Sequence, residues 1–556
     1  MFYTTTHAKS IRAAFTFALV LFVIAGLNAQ TPDLGSVSGN FQIDAQYYRE
    51  DTLIGAPDFP EDIGSNAFLN LLYNRGKLQA GIRYEAYLPT MQGFLRETGG
   101  GLPYRFVRWQ DEKFDVTAGT FYEQFGSGMV LRTYEEWGLG FDNSIDGFRA
   151  KGEPVKGLQL TGLIGRQRNA FSNSVENLSA GLVRGVNADW SINETFDSLS
   201  TKTRVRVGGS FVSRYQADED PVQILPENVA SWSGRVNLNR KGFNVYAEYA
   251  QKYNDPSTVN NLIYKNGTGA LVQASYSRKG LGISLQAKRI DNMDFRSDRA
   301  ATFNNLNLNF LAPQTKQHTY RLATLFPWAT QPLGEWGFQA EVLYKIKKGT
   351  PLGGKYGTTI TANFSRVHGL RKDTVADPFE GYSTEFFGMT DKPLFQDINV
   401  EIAHKFNKKL KATLTLLHFN YEEVLFRALT GFASTEDVTA DVQILDLSYK
   451  VKKKQTLRME FQHAYTQQEF GSWAMILAEY TFAPRFFIAV FDEYNYGNAD
   501  ESLQLHYFSA NAGMNWKNYR ITAGYGRQRA GVLCVGGVCR IVPASNGATV
   551  SITGTF

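Results

Sequence analysis

The chain of 556 residues lacks most of what a metalloenzyme or a helical membrane protein needs. It has only two cysteines and seven histidines, and no histidine stands at metal-ligand spacing from another or in a serine–histidine–aspartate arrangement. After the N-terminus, no stretch reaches the roughly 18 apolar residues that a transmembrane helix requires. We therefore expect no enzyme, no catalytic residue, no metal site and no cofactor.

The chain also lacks a strong charge and any sign of a linker. Lys and Arg number 58 and Asp and Glu number 53, a net charge of +5, of which Lys9 and Arg12 supply two. This near balance gives no electrostatic support for a nucleic-acid partner. Without a Pro/Ser-rich or low-complexity tract, one large domain is the better interpretation than several.

The first 29 residues have the pattern of a secretory signal. Lys9 and Arg12 precede an apolar run from Ala13 to Leu27, and Ala29 supplies a small residue before Gln30. A run of about 15 residues is too short to cross a bilayer comfortably as a helix. We expect residues 1–29 to be a cleaved signal peptide and residues 30–556 to be the mature domain.

Side chains alternate between apolar and polar from end to end of the remaining chain. In the last ten residues, Val550, Ile552 and Phe556 share one face, and Thr549 and Ser551 lie on the other. A period of two is typical of a strand, and repeated runs of about ten residues match tilted strands that cross a bilayer. Because the chain is also 14% aromatic, the pattern favours a barrel with lipid-facing aromatic girdles over a soluble β-sandwich.

The turns predict the topology of this barrel. Tight connections such as 74–77 alternate with long ones at 49–64, 89–103, 214–229, 253–267, 367–395 and 421–441. The predicted fold is all-β: a large antiparallel transmembrane β-barrel of about 26 strands (range 24–26), with short periplasmic turns and long extracellular loops. The even number depends on counting residues 305–310 as a strand.

Charged side chains of both signs fall on the predicted inner face. They either line a water-filled passage for small polar solutes or brace the inner wall and hold an inserted loop. Residues 122–144 are the candidate for such a loop, although an ordinary extracellular loop is an equal alternative. The predicted lumen-lining residues are Arg83, Glu85, Arg204, Arg206, Glu248, Glu341, Glu401, Arg458, Glu460 and Glu479.

A set of arginines ends the apolar faces of four outward-running strands. If the alternation continues, these arginines face outward just above the hydrocarbon, where lipopolysaccharide phosphates lie, and guanidinium binds phosphate well. If the strands have ended or bulged there, the arginines are merely solvated. The predicted lipopolysaccharide contacts are Arg166, Arg168, Arg289, Arg366, Arg527 and Arg529.

The two cysteines predict a disulfide. Gly536 and Gly537 form a two-residue hairpin signal, and this register places Cys534 directly opposite Cys539. Such opposed positions lie within disulfide range, and an exported protein meets an oxidising compartment. A metal site is the weaker alternative.

Three stretches, residues 122–135, 163–168 and 534–547, resemble an uncharacterised outer-membrane barrel family of Bacteroidota that carries only a domain-of-unknown-function label. The junction between Ala29 and Gln30 and the terminal Phe556 look like that group's export and barrel-assembly signals. The resemblance implies insertion into the Gram-negative outer membrane by the barrel-assembly machinery. It implies no substrate and no catalytic residue.

We therefore expect a non-enzymatic integral outer-membrane protein, either a pore for small polar solutes or a scaffold subunit of a larger secretion or assembly complex. The expected partners are outer-membrane lipid and lipopolysaccharide. A wide barrel could also hold an outer-membrane protein or lipoprotein partner.

Overall fold

The computed structural model describes residues 34–94, 97–171, 177–196, 202–425, 436–535 and 538–556; the side chains of residues 535, 538 and 539 are outside this description. The predicted signal peptide lies outside the described residues. Within the described part, no helix has the length and apolar character needed to cross a membrane.

Twenty-four long strands form one sheet. The first twelve are β1 (Ser36–Tyr48), β2 (Ile63–Arg75), β3 (Leu78–Tyr87), β4 (Gly99–Gln110), β5 (Phe114–Phe121), β6 (Ile145–Val155), β7 (Leu158–Arg168), β8 (Leu178–Ser191), β9 (Arg204–Tyr215), β10 (Asn228–Arg240), β11 (Phe243–Lys252) and β12 (Gly267–Arg278). The second twelve are β13 (Leu281–Asp291), β14 (Glu335–Ile346), β15 (Thr358–Leu370), β16 (Met389–Lys405), β17 (Leu410–Tyr421), β18 (Val438–Lys452), β19 (Gln455–Tyr465), β20 (Trp473–Phe482), β21 (Phe486–Tyr494), β22 (His506–Trp516), β23 (Tyr519–Gln528) and β24 (Ser545–Thr555).

The sheet closes into an antiparallel barrel. Each strand pairs with its neighbours in sequence, and β1 pairs with β24 from Asn40 opposite Thr555 to Tyr48 opposite Gly547. The predicted fold class is confirmed, and the 24 strands lie at the lower limit of the predicted range. Residues 305–310 are not a barrel strand, so that part of the strand count was wrong: they belong to the long connection between β13 and β14.

The two faces of the wall differ as the alternation predicts. Apolar side chains on the outer face, such as Phe211, Leu285 and Val490, are exposed where lipid would contact them. On the inner face of the same wall, Arg214 and Asp397 are fully buried. Apolar side chains such as these therefore cover the outside of the barrel, and charged side chains such as Arg214 and Asp397 point inward.

Connections differ in length at the two ends of the barrel. At one end, which we call the turn end, most connections have two to four residues; the exceptions are 192–203 and 347–357. At the other, the loop end, the long connections include all six predicted from sequence. The longest connection, residues 292–334, was not predicted.

The closing seam between β1 and β24 is held by backbone bonds and one aromatic ring. The amide of Phe556 donates to the carbonyl oxygen of Gly39 (3.0 Å), and the Gly39 amide donates back (2.9 Å). A Cβ added at Gly39 would lie 2.6 Å from Cζ of Phe556 and 2.6 Å from the carbonyl oxygen of Asn70. The glycine therefore leaves the space that the terminal ring occupies.

A side chain at Gly39 should weaken the seam. We expect Gly39→Val to destabilise the barrel by about 1–3 kcal/mol, the usual cost of overpacking. The measurement is the heat-modification midpoint, the temperature at which half of the protein has lost its folded band in electrophoresis of samples heated stepwise. Gly162→Val is the matched control, because Gly162 also lies on the outer face of a strand and a Cβ there meets nothing within 4 Å. Equal midpoints for the two variants would contradict this account of the seam.

The two cysteines lie in a small ribbon between β23 and β24. Its strands, Gly531–Val535 and Val538–Val542, place Cys534 directly opposite Cys539. This is the register that the sequence predicts. Because the Cys539 side chain is outside the described residues, the disulfide itself stays a prediction.

Thiol alkylation tests the disulfide. We expect the purified, unfolded protein to gain no alkyl group unless a reductant is added first, and then to gain two, as read by intact mass. The Cys534→Ser variant should be alkylated once without reductant, which shows that the reagent reaches Cys539. Two alkyl groups on the unreduced protein would mean that the hairpin carries free thiols.

Candidate functional site: the occupied lumen

At the loop end, the lumen of the barrel contains two segments of the chain itself. The first inserted segment, residues 122–144, connects β5 to β6. Its side chains Phe125 and Leu131 are fully buried and belong to one apolar cluster with wall residues such as Val183, Val212 and Ala250. The sequence-based candidate for an inserted loop therefore lies inside the barrel.

The second inserted segment, residues 292–334, covers the opposite part of the wall. Leu322, Phe326 and Trp328 pack in a second apolar cluster with wall residues of β15–β20, among them Phe419 and Val442. Trp328 stacks on Phe395, with ring centroids 5.3 Å apart. This segment is the main feature that sequence reasoning missed. The sequence signal for it was the distance of more than 40 residues between β13 and β14.

The two inserted segments bind each other. The Arg132 amide donates to the carbonyl oxygen of Leu308 (2.8 Å), and the Phe310 amide donates to that of Gly128 (2.9 Å). The Asn309 side chain adds a bond to the Met129 carbonyl oxygen (3.2 Å). They therefore form one body, which we call the plug and define as residues 122–144 and 292–334.

A cluster of buried charges joins the first inserted segment to the wall. Arg83 and Glu85 of β3 pair at 2.7 Å, and Arg168 donates to Glu85 (2.7 Å) and to Asp142 of the plug (2.7 Å). Arg83 also binds Asp142 and Glu135 of the plug. The side chains of Arg83 and Arg168 are only 4% exposed. Removing one member of such a cluster leaves an uncompensated buried charge, which typically costs about 3–5 kcal/mol.

The second inserted segment is anchored by separate polar contacts. Arg321 binds Glu493 of β21 (2.5 Å), and Nε2 of His318 lies 2.8 Å from Oδ2 of Asp397 of β16. The Leu322 amide donates to the Gln462 side chain of β19 (2.8 Å). The plug is therefore bonded to the wall on both sides of the lumen.

All ten predicted lumen residues lie on the inner face, in different roles. Several hold the plug or each other: Arg83 and Glu85 are in the charge cluster, and Glu248 accepts from the Ser127 amide of the plug (2.9 Å). Arg458 pairs with Asp446 (2.9 Å) and with Glu460, and Glu341 faces Lys316 of the plug (3.7 Å). The remaining members are exposed or half-buried on the open inner wall: Arg204, Arg206, Glu401 and Glu479.

Three of the six predicted lipopolysaccharide contacts are placed differently from the expectation. A register shift after Arg166 turns Arg168 inward to the charge cluster. Arg529, beyond the end of β23, lies over Trp473 on the lumen side, 5.6 Å from the ring centroid. Arg289 does face outward, but loop residues cover it, because it donates to the Phe386 carbonyl oxygen and to Thr384 (both 2.9 Å). The prediction was wrong for these three.

The other three arginines remain on the outer face, each with a protein partner. Arg166 donates to the Ala180 carbonyl oxygen (2.8 Å), Arg366 to Nε2 of His368 (2.9 Å), and Arg527 pairs with Asp51 (2.7 Å). Contact between these three arginines and lipid phosphate stays a prediction.

Comparison with models of known protein families assigns the chain to one family. The model of a family of unknown function, DUF6029, matches residues 10–556. The chain belongs to this family. No curated protein sequence matches it.

Several solved structures match much of the chain at low similarity. The siderophore receptor PirA from Pseudomonas aeruginosa is 10% identical, with a TM-score of 0.43 over 94% of this chain and 80% of the receptor. The P pilus usher PapC translocation pore is 9% identical, with a TM-score of 0.43 over 93% of this chain and 99% of the usher. OccK8 (OprE) from Pseudomonas aeruginosa is 10% identical, with a TM-score of 0.31 over 80% and 96%. The barrel architecture of this DUF6029 member rests on its own strand pairing.

One sector of the lumen wall differs from the rest. The inner faces of β22, β23, β24 and β1 carry short polar side chains such as Asn511, Thr522, Ser551 and Gln42, which are half-buried. Neither apolar cluster of the plug includes a residue of these four strands except Tyr507, at the loop end. The inner face of these four strands is therefore polar, and apart from Tyr507 it takes no part in the apolar packing of the plug.

The described residues contain no group of three His, Cys, Asp or Glu side chains suited to hold a metal ion. That the protein is not an enzyme stays a prediction.

Glu97 closes the charge cluster from the loop that precedes β4. It accepts from the Phe171 amide (2.6 Å), and Arg168 lies 3.5 Å away. Burial raises the pKa of the Glu97 carboxyl from 4.5 to about 7, and nearby Glu85 and Asp142 act in the same direction while Arg168 opposes it. The carboxyl is therefore protonated in the folded protein at pH values where it is ionised in the unfolded chain.

This difference predicts a pH dependence of stability. Because the folded pKa is the higher one, stability should fall as pH rises from 4.5 to about 7 and stay level with respect to this group above that. Glu97→Gln should remove this slope, since an amide keeps an acceptor for Phe171 and does not titrate. The measurement is the heat-modification midpoint at a series of pH values. Glu380→Gln, at an exposed loop carboxylate, should keep the wild-type slope, and the same slope in all three proteins would contradict the assignment.

Proposed function

We propose that the protein is a non-enzymatic channel of restricted bore in the outer membrane of a Gram-negative bacterium of the Bacteroidota, and that small polar solutes cross it between the plug and the seam. Outer-membrane lipid and lipopolysaccharide surround the wall. The barrel-assembly machinery inserts it after removal of residues 1–29, with Phe556 as its recognition signal. In this orientation the loop end is extracellular and the turn end periplasmic.

The membrane location is supported by the outer surface. The outward residues of successive strands form an apolar band, as with Val272, Leu285 and Val342 on β12–β14. An apolar surface of this extent is stable in contact with hydrocarbon and unstable in water.

The polar sector beside the plug is the observation that carries the channel proposal. Apolar wall residues face the lumen where the plug covers them. The inner faces of β22–β24 and β1 carry amides and hydroxyls instead. Trp137, at the tip of a small hairpin in the first inserted segment, stands at the edge of this sector, with its ring 4.2 Å from that of Phe68. A narrow polar gap beside an aromatic side chain suits small solutes and excludes large ones.

A scaffold subunit is the second candidate function, and one loop-end surface favours it. Val222 and Ile224 are 87% and 88% exposed. Tyr264, in the loop 253–266, joins their loop to the loop 371–388, because its hydroxyl donates to the Ile224 carbonyl oxygen and its amide to that of Phe379. Exposed apolar loops of this kind are typical of protein–protein contacts. An outer-membrane protein or a lipoprotein is the partner that this candidate implies.

Single-channel recording in planar bilayers tests the channel. We expect the purified protein to give small, steady conductance steps. Glu136 pairs with Phe141 at the base of the hairpin, so residues 137–140 can be replaced by an Asn-Gly turn without opening the hairpin. Removing the indole in this way should raise the conductance about twofold or more, because it widens the gap.

The control is Phe387→Ala. Phe387 is a large exposed side chain of a loop-end connection, but it stacks on the outward-facing Trp336, so its loss should leave the conductance unchanged. Silence from both the wild type and the hairpin variant would reject the channel. A protein partner that co-purifies in mild detergent, and is lost from Ile224→Asp, would then support the scaffold.

A further inference from the structure

A cavity of about 450 Å³ lies at the turn end of the polar sector. Its lining includes Trp137 of the plug and Gln42, Asn515, Arg520 and Thr553 of the wall. The volume falls within the range of about 300–1,000 Å³ that is usual for small-molecule sites. On the proposed function, the cavity is the periplasmic vestibule of the channel.

The polar residues of the cavity form a row across four strands. Asn515 pairs with Arg520, Arg520 with Thr553, and Thr553 with Gln42. Gln42 is in turn opposite Phe68, whose ring centroid lies 4.2 Å from that of Trp137. The row therefore presents an amide, a guanidinium, a hydroxyl and a second amide, and it ends at an indole ring.

Arg520 carries the charge of this row. Its guanidinium lies over the ring of Phe487, 5.4 Å from the centroid, and no Asp or Glu is among the residues that line the cavity. The other basic lining residue, Lys517, has its ammonium over the Trp516 ring (5.6 Å). Trp516 belongs to the outer face of β22 with exposed Phe508 and Met514, so Lys517 is directed away from the row.

We infer that this cavity binds a small carboxylated sugar of the hexuronate class; the inference rests on the proposed channel. The planar guanidinium of Arg520 binds the carboxylate through two parallel hydrogen bonds. Thr553 offers its hydroxyl to the sugar. Gln42 and Asn515 offer their side-chain carbonyl oxygens, since their amide groups already donate to Asp44 (2.6 Å) and to the Pro484 carbonyl oxygen (2.9 Å). Trp137 covers the apolar face of the ring, as aromatic side chains do when one side of a ligand is apolar and the other polar.

Equilibrium dialysis of the full-length protein in detergent with radiolabelled glucuronate tests the inference. We expect saturable binding at one site, at least tenfold tighter than binding of glucose, which lacks the carboxylate. Arg520→Gln should weaken glucuronate binding at least tenfold, and Arg520→Lys should weaken it less, because the charge remains but the fork is lost. Trp137→Ala should weaken binding of both sugars.

Lys454→Gln is the matched control, since it removes a positive charge from an exposed turn at the same end of the barrel, outside the lining of the cavity, and should leave the affinity for glucuronate unchanged. Equal binding of glucuronate and glucose, equal binding by wild type and Arg520→Gln, or an absence of saturable binding would each overturn the inference. Dialysis needs no ion flow, so binding without conductance would reject the channel alone, and conductance without binding would reject the sugar-acid site alone.

Discussion

Satisfaction of every backbone hydrogen bond in an apolar medium is the constraint on which the rest of this structure depends. A strand edge exposed to hydrocarbon would leave a row of unpaired amides and carbonyls, so a sheet that crosses a membrane must close on itself. Here closure falls on the pairing of β1 with β24, completed by the reciprocal bonds of Gly39 and Phe556. With 24 strands in the ring, closure also creates a wide interior, which must be filled by chain or by water.

The plug is the consequence of that width, and its attachment follows from electrostatics. Inner-face charges such as Arg83 and Glu85 lie in water if the lumen is open, but a segment that covers them must bring opposite charges or leave them unpaired. The first inserted segment brings Asp142 and Glu135, and the second brings Arg321 to Glu493. Of the residues that sequence alone assigned to an open passage or to bracing of the wall, Arg83 and Glu85 hold the plug, and a passage lined by the others stays a prediction.

The fold could be predicted because strand alternation reports one physical fact at every position, which side of the wall a residue faces. The failures occur where another element buries the residue. Leu306 and Leu308 alternate with asparagines as a strand would, yet Leu308 is buried by the first inserted segment and Asn309 binds backbone carbonyls. A bulge reverses the facing of Arg168, and a folded-back loop covers Arg289. A local pattern carries no information about such distant partners.

Apolar residues on the inner face are the exception to the alternation, and they map where the plug lies. Val212, Phe419 and Val442 would be unfavourable in a water-filled lumen, and each packs in a cluster that contains plug residues. The strands β22–β24 and β1 have hydroxyls and amides at the corresponding positions, as with Thr522, Ser551 and Asn511. Since burial of an apolar wall residue requires a covering segment, the polarity of the inner face distinguishes covered wall from wet wall. By this criterion, the inner faces of β22–β24 and β1 are wall that the apolar core of the plug leaves uncovered.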